Sequence, residues 1–189
     1  MKIAFVIFNG MTALDFIGVY DPLTRLKSMG FVTDLEWELC AYTPDVSDDK
    51  GLHFTPTRVK QPLTGYDVII VPGGLSTRAL MQDQGFVGWL KTAAACRLKV
   101  SVCTGSLLLG AAGYLSGKTA TTHPNAFNEL RKFSAAVVPD RVVQDGDVIT
   151  ARGVTAGIDL GLYLVEKFAG REVKERIRKQ MDYPCCSSV

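Results

Sequence analysis

The distribution of apolar residues divides the chain into short buried strands and longer amphipathic helices. Continuous apolar runs rich in β-branched residues predict strands at residues 2–8, 35–42, 68–71, 99–102, 141–144 and 148–151. Apolar residues at three- and four-residue steps predict helices at 12–30, about 81–97, from 104 onward, about 124–133, 155–170 and 171–181. Proline marks residues 51–59 as an edge strand or hairpin arm, and we expect Pro22 to kink the first helix or lie near its end.

The alternation of strands and helices predicts an α/β fold. Because the inner strands are apolar throughout, they suit a parallel sheet that helices cover on both faces. No linker, repeat or low-complexity segment divides the 189 residues, a length that suits one domain. We expect a single domain over residues 1–182 and a loose C-terminal tail over 183–189.

Composition narrows the possible partners. The chain has 21 basic and 19 acidic residues without a dense basic block, so we expect no nucleic-acid partner. No apolar stretch approaches the ~20 residues that cross a bilayer, and residues 1–10 do not resemble a signal peptide. We therefore expect a cytoplasmic protein with no membrane partner. The five cysteines lack C-x-x-C spacing and the two histidines lie apart from them, which predicts reduced thiols and no metal site.

Candidate chemistry lies where the predicted strands end. Ligands of open parallel sheets bind beyond the carboxyl ends of the strands, and Asp15, Gly73-Gly74 and Cys103-Thr104 all follow a strand there. A helix that begins after Cys103 would favour the thiolate and lower the pKa of the thiol below its usual value of about 8.5. The alternative is a buried, inert thiol. The position of Cys103 at a turn, with glycines on neighbouring loops, favours a functional role.

The other two loops have both functional and structural interpretations. An N–H group of the Gly73-Gly74 loop and that of Thr104 have the chemistry to hold developing negative charge, but the glycines also suit a simple tight turn. Asp15 has the chemistry to hold and return a proton if it faces Cys103, and otherwise it caps its helix.

Two further side chains near Cys103 are weaker candidates. The Thr104 hydroxyl donates or accepts a hydrogen bond but is no base near neutral pH. For His123 we expect a place at a helix start or in packing, not a role as base for Cys103. P-loop, dinucleotide-binding and G-x-S-x-G motifs are absent from the sequence.

Three stretches together resemble the ThiJ/PfpI family. They are VPGG at 71–74, SVCTGSLLLGAAGYLSGKTATTH at 101–123 and RVVQDGDVITARGVTAGIDLGLYLVE at 141–166. The resemblance implies a three-layer sandwich with a mostly parallel central sheet, flavodoxin-like and similar to class I glutamine amidotransferase domains. Within the family the motifs are most similar to the isocyanide hydratase branch. Nearly the same motifs occur in the ligand-sensing N-terminal domains of AraC-type regulators.

The resemblance also implies roles for individual residues. Cys103 matches the family nucleophile, Asp15 its acidic partner and Thr104 the residue beside the nucleophile. The backbone N–H groups of Gly74 and Thr104 match those that hold negative charge. Aspartate and threonine are the hydratase residues, whereas protease-like members carry histidine where Thr104 stands, so we do not expect peptidase activity. Pro124 stands where hydratases commonly carry tryptophan, and we expect it to change the wall of the substrate cavity.

The function that the resemblance implies is that of an isocyanide hydratase-like lyase. Such an enzyme adds water to a small-molecule isocyanide and forms an N-substituted formamide through a cysteine thioimidate. We expect no cofactor and a homodimeric assembly. Two alternatives stay open: a stand-alone ligand- or redox-sensing domain, and a glyoxalase- or deglycase-like enzyme.

Overall fold

The computed structural model describes residues 1–184. Its strands are β1 (Lys2–Ile7), β2 (Glu36–Ala41), β3 (Val46–Ser47), β4 (His53–Phe54), β5 (Arg58–Val59), β6 (Val68–Val71), β7 (Leu98–Val102), β8 (Thr119–Ala120), β9 (Ala136–Val137), β10 (Val142–Asp145) and β11 (Val148–Ala151). Its helices are α1 (Ala13–Ser28), α2 (Thr77–Leu80), α3 (Gln84–Lys91), α4 (Gly105–Ala111), α5 (Phe127–Leu130), α6 (Ala156–Ala169) and α7 (Arg171–Gln180), and a 3₁₀ turn (Pro124–Ala126) precedes α5.

A seven-stranded sheet forms the centre of the domain. Its strand order is β10-β11-β7-β6-β1-β2-β5, in which β10 pairs antiparallel with β11 and the other neighbours pair in parallel. The order of β2-β1-β6-β7-β11 is that of a flavodoxin-like sheet. Every residue of β6, β7 and β11 is buried, because helices cover both faces.

Two groups of helices enclose the sheet. α1, α6 and α7 pack on one another, whereas α4 packs against α2, α3 and α5. α1 and α6 approach closely because small residues face each other: a β-carbon at Gly161 would lie only 2.8 Å from Pro22 Cγ. The predicted three-layer α/β architecture with a mostly parallel sheet is confirmed.

Several element boundaries differ from the sequence-based expectation. The helix expected over about 81–97 is shorter, because Asp83 caps α3 by accepting the N–H groups of Gly85 and Phe86 and the chain turns after Lys91. Pro22 lies inside α1, so the expected place near an end is wrong, whereas the expected kink stays a prediction. The segment 51–59 supplies both expected features, since β4 forms a hairpin with β3 and β5 is an edge strand on β2. The short strands β8 and β9 had no hydrophobic pattern from which to predict them.

The end of the described chain packs against α6. The Tyr183 hydroxyl donates to Asp159 Oδ1 at 3.0 Å, and the Tyr183 N–H donates to the Arg178 carbonyl at 3.0 Å. Cys185, Cys186 and the rest of 185–189 lie outside the described residues, so the boundary at residue 182 and the loose tail stay predictions. Cys40, Cys96 and Cys103 are free thiols, as expected. Within residues 1–184 no helix has both the length and the apolar character to cross a membrane.

Candidate functional site

The loops after four parallel strands meet at one edge of the sheet. Asp15 follows β1, Gly73 and Gly74 follow β6, and Cys103 follows β7. The loop after β11 brings Gly153 to the same place, since a β-carbon there would lie 2.8 Å from Cys103 Sγ. These loops border a cavity of about 330 Å³, lined by Thr12, Asp49, Gly74, Leu75, Arg78, Cys103, Thr104, His123, Asn125 and Val154.

Cys103 occupies a sharp turn between β7 and α4. Its φ of 56° lies in the left-handed region, which costs a non-glycine residue about 1–2 kcal/mol. The Cys103 N–H donates to the Ala151 carbonyl at 3.0 Å. The Cys103 carbonyl accepts from the hydroxyls of Ser106, at 3.1 Å, and Thr122, at 2.9 Å. Hydrogen bonds on both sides of the residue therefore hold the backbone in this unfavourable conformation.

The turn also depends on a glycine directly after Thr104. A β-carbon at Gly105 would lie 2.2 Å from the carbonyl oxygen of Val71 in β6. No side chain fits there, so glycine allows α4 to begin directly above β6 and keeps Cys103 beside the neighbouring loop.

Asp15 lies beside Cys103 and is completely buried. Its Oδ2 accepts the Gly73 N–H at 3.1 Å, so this oxygen binds the β6 loop and not an N–H of its own helix. Burial raises the pKa of Asp15 to about 7, against the opposing effect of hydrogen bonds from Cys103 and Gly73, and the nearby Asp49 carboxylate raises it further. Asp15 therefore gains or loses a proton near neutral pH.

The thiol of Cys103 is not acidic, which corrects the expectation from its position before a helix. Burial and the adjacent Asp15 carboxylate raise the pKa of Cys103 to about 12, although hydrogen bonding by the Thr104 N–H and hydroxyl lowers it. α4 is only seven residues long, and its N-terminus does not outweigh these two effects. In the neutral range the thiol keeps its proton.

Thr104 binds the β6 loop through its side chain. The Thr104 hydroxyl accepts the Gly74 N–H at 3.0 Å and lies 3.1 Å from the Gly74 carbonyl, to which it has the geometry to donate. The Gly74 N–H thus has a protein partner in this structure, while the Thr104 N–H faces the sulfur. The predicted role of these two N–H groups in holding negative charge stays a prediction.

His123 combines the expected position at a helix start with a place in the cavity wall. Its Nδ1 accepts the Asn125 N–H at 3.2 Å, at the start of the 3₁₀ turn. An acceptor Nδ1 places the proton of the neutral ring on Nε2. Pro124 is exposed and outside the cavity lining, whereas its neighbours His123 and Asn125 line it. The expected effect of Pro124 on the wall stays a prediction, and it would act through the turn that Pro124 begins.

The structure adds residues that the sequence did not single out. Thr122 and Ser106 bind the Cys103 carbonyl, and Gly153 leaves space above the sulfur. Arg78 and Glu129 form an ion pair at 2.7 Å that joins α2 to α5 beside the cavity. Thr122 lies in the TATTH stretch, whose pattern gives no sign of which hydroxyl is buried against Cys103.

A second cavity, of about 380 Å³, lies between α6 and α7. Among the described residues, it shares no lining residue with the cavity beside Cys103. Its three carboxylates are paired, namely Asp159 with Arg141, Glu166 with Lys174 and Glu175 with Arg178. These pairs occupy the three carboxylates, so this cavity offers less reactive chemistry than the site around Cys103.

The geometry defines a parallel α/β protein with a strained cysteine turn beside a buried carboxylic acid. The sequence model of the DJ-1/PfpI family matches residues 1–167, and the chain belongs to this family. An isonitrile hydratase from Pseudomonas putida is 38% identical over 184 residues, which cover 97% of this chain and 78% of that protein.

Two further similarities concern the fold and a regulator. The crystal structure of a THiJ/PfpI family protein from Pseudomonas syringae has a TM-score of 0.88 and 31% identity, and covers 100% of this chain and 77% of that one. The HTH-type transcriptional regulator GbdR from Pseudomonas aeruginosa is 24% identical over 194 residues, which cover 96% of this chain and 53% of the regulator. The predicted family membership is confirmed.

Proposed function

We propose that this protein is an isocyanide hydratase that converts a small isocyanide and water into an N-substituted formamide. The observation that carries the proposal is the buried Asp15 carboxyl beside the Cys103 thiol. The 38% identity to an isonitrile hydratase supports the same reaction class. No cofactor takes part in the proposed steps.

The first step adds the thiol across the terminal isocyanide carbon. Asp15, as carboxylate, takes the thiol proton while the Cys103 sulfur forms a bond to carbon. Asp15 then gives that proton to the same carbon, and the product is a thioimidate, S–CH=N–R. Because the group that accepts the proton has a pKa of about 7, it both accepts and returns the proton near neutral pH.

The second step releases the product. Water attacks the thioimidate carbon with Asp15 as base, and the nitrogen receives a proton. The C–S bond then breaks, the new C–OH group becomes the formyl C=O, and its proton returns through Asp15 to sulfur. The products are the formamide and the original thiol. The Thr104 N–H, and the Gly74 N–H once the Thr104 hydroxyl releases it, are the proposed donors to negative charge that develops in these steps.

An assay of wild type and three variants tests the reaction. Wild-type protein and Cys103→Ala are incubated with an aryl isocyanide, and formamide is followed by absorbance. Cys96→Ala is the matched control, because Cys96 is a buried free thiol that lies outside the cavity. We expect formamide from wild type and Cys96→Ala, none from Cys103→Ala, and a decrease of about 10²-fold or more for Asp15→Asn. Equal formamide production by Cys103→Ala would refute the mechanism.

The sensing alternative rests on the similarity to GbdR. Redox-sensing cysteines are accessible and have a low pKa, whereas Cys103 is buried and its pKa is raised. The proposed enzyme does not need an ionised thiol in the resting state, because Asp15 takes the thiol proton during the reaction. If wild type consumes no isocyanide but hydrogen peroxide oxidises Cys103 stoichiometrically, sensing replaces hydration. A parallel incubation with methylglyoxal tests the glyoxalase-like alternative, which would use the same nucleophile.

We propose that the protein is a cytoplasmic homodimer whose contact lies near the cavity. Leu14 and Ile17 lie three residues apart on α1 and are 44% and 40% exposed, and Leu75 at the cavity is 76% exposed. Exposed apolar side chains that lie together on one face, as Leu14 and Ile17 do on α1, support contact with another protein surface. Light scattering should give the mass of a dimer for wild type and of a monomer for Leu14→Glu; a monomeric wild type would refute this assembly.

A further inference from the structure

We propose that Thr122 is a positioning residue for Cys103, whose buried hydroxyl fixes the peptide unit that faces the sulfur. Thr122 has no exposed surface, and its Oγ1 donates to the Cys103 carbonyl at 2.9 Å. It comes from the segment after β8, nineteen positions along the chain from Cys103, and so ties the turn to a different part of the fold.

The link from Thr122 to the sulfur is the planarity of one peptide bond. The Cys103 carbonyl and the Thr104 N–H belong to the same planar trans unit and point in opposite directions. A hydroxyl that fixes the carbonyl therefore also fixes the direction of the Thr104 N–H, whose hydrogen bonding lowers the pKa of the Cys103 thiol. Donation to the carbonyl also polarises the amide and makes its N–H a stronger donor.

The second donor to the carbonyl has a different origin. Ser106 belongs to α4 itself, so its hydrogen bond at 3.1 Å holds the carbonyl within the first turn of that helix. Thr122 instead joins the carbonyl to the segment that continues into His123 in the cavity wall. Through Thr122, the position of the cavity wall therefore influences the direction of the Thr104 N–H.

Thr121 provides a matched control for this role. It is the neighbouring residue, equally buried, and its hydroxyl has no hydrogen-bond partner among residues 1–184. Replacing Thr121 by valine removes a hydroxyl of the same kind from the same segment without removing a hydrogen bond to Cys103.

The test measures the reactivity of Cys103 directly. The rate of alkylation by iodoacetamide at Cys103 is measured by mass spectrometry across pH for wild type, Thr122→Val, Thr122→Ser and Thr121→Val. We expect Thr122→Val to react about tenfold more slowly, equivalent to about 1.4 kcal/mol, and its pH profile to move to higher pH. Thr122→Ser keeps the hydroxyl and should restore the rate to within about twofold of wild type.

The charged and titratable groups facing the sulfur stay the same in every variant. Asp15 from α1 lies beside the sulfur, and Asp49 from the loop after β3, Arg78 from α2 and His123 from the segment after β8 line the cavity that borders it. If the pH profile of alkylation shifts in Thr122→Val alone, the lost hydroxyl is the cause. A purely structural effect would lower the melting temperature without shifting this pH profile.

Equal alkylation rates for Thr122→Val and Thr121→Val would overturn the proposal. If Thr122→Val does not fold, as judged by near-ultraviolet circular dichroism, Thr122→Ala and Thr121→Ala are compared in the same way, and equal rates again overturn it. Alkylation requires no isocyanide turnover, so this outcome is independent of whether the protein proves to be a hydratase.

Discussion

Gly153 lies directly against Cys103, since a β-carbon at Gly153 would be 2.8 Å from Sγ and 2.7 Å from His123 Cδ2. The missing side chain keeps the space next to the sulfur open. We expect Gly153→Ala to slow both alkylation and hydration by about 10²-fold, because the methyl group displaces the sulfur or the ring. Mass spectrometry of the alkylated protein and the formamide assay measure the two rates.

Gly88→Ala serves as the control for this substitution. Gly88 lies within α3 and nothing is within 4 Å of a β-carbon there. The helix interior favours alanine over glycine by about 0.5–1 kcal/mol, so the control should melt at a slightly higher temperature with unchanged alkylation. If both glycine variants react as wild type does, the space beside the sulfur does not limit the reaction.

The left-handed backbone at Cys103 predicts an unusual order of stability among its variants. At φ 56° glycine avoids the steric cost that alanine retains, so Cys103→Gly should be about 1 kcal/mol more stable than Cys103→Ala. Urea denaturation measures both free energies of unfolding. The opposite order, with alanine more stable, would mean that the turn relaxes to an ordinary conformation once the thiol is removed.

The burial of Asp15 predicts how stability depends on pH. Its pKa rises from 3.8 to about 7 on folding, so the folded state binds the proton more tightly. The contribution of this proton to stability is therefore present in full below about pH 4 and is lost as pH rises from there through about 7. Asp15→Asn cannot lose this contribution. The free energy of unfolding of Asp15→Asn minus that of wild type should therefore increase by up to about 4 kcal/mol between about pH 4 and about pH 7. Denaturation at several pH values checks this, and a pH-independent difference would contradict it.

Asp15→Asn should also make the Cys103 thiol more acidic. The Asp15 carboxylate raises the pKa of Cys103 both by its charge and by hydrogen bonding that stabilises the protonated thiol. Neutral asparagine removes these effects but leaves the burial, so the pKa falls without reaching that of an exposed cysteine. Ultraviolet absorbance of the thiolate, with Cys103→Ala as the baseline, measures it. An unchanged or higher pKa would show that Asp15 does not face the thiol as a charge.

The sequence predicted the fold because its signals are local. The apolar runs of β1, β6 and β7 define buried strands whatever surrounds them. The helix expected over 81–97 was too long because helix-forming residues follow Lys91, yet the chain must turn to enter β7 at Leu98. The folded structure overrides local propensity at such a place.

The candidate site was predictable only in part. Strand ends place Asp15 and Cys103 at the same edge of a parallel sheet. The resemblance to a known family implies that Cys103 is the nucleophile and Asp15 its acidic partner. The raised pKa of Cys103 was not predictable, because it depends on burial and on the distance to Asp15, which only the fold determines. The hydrogen bond from Thr122 is equally non-local.

The parallel sheet also makes formation of the site depend on the pairing of strands that are distant in the sequence. Its parts come from positions as distant as Asp15 and Gly153, and α/β sheets with such long-range pairing fold slowly because each closure costs chain entropy. A fragment that lacks β1 or β11 would lack Asp15 or Gly153 beside the sulfur. During refolding, the rate of Cys103 modification should return to the native value only when both β1 and β11 have joined the sheet, so the Cys103 thiol reports completion of the fold.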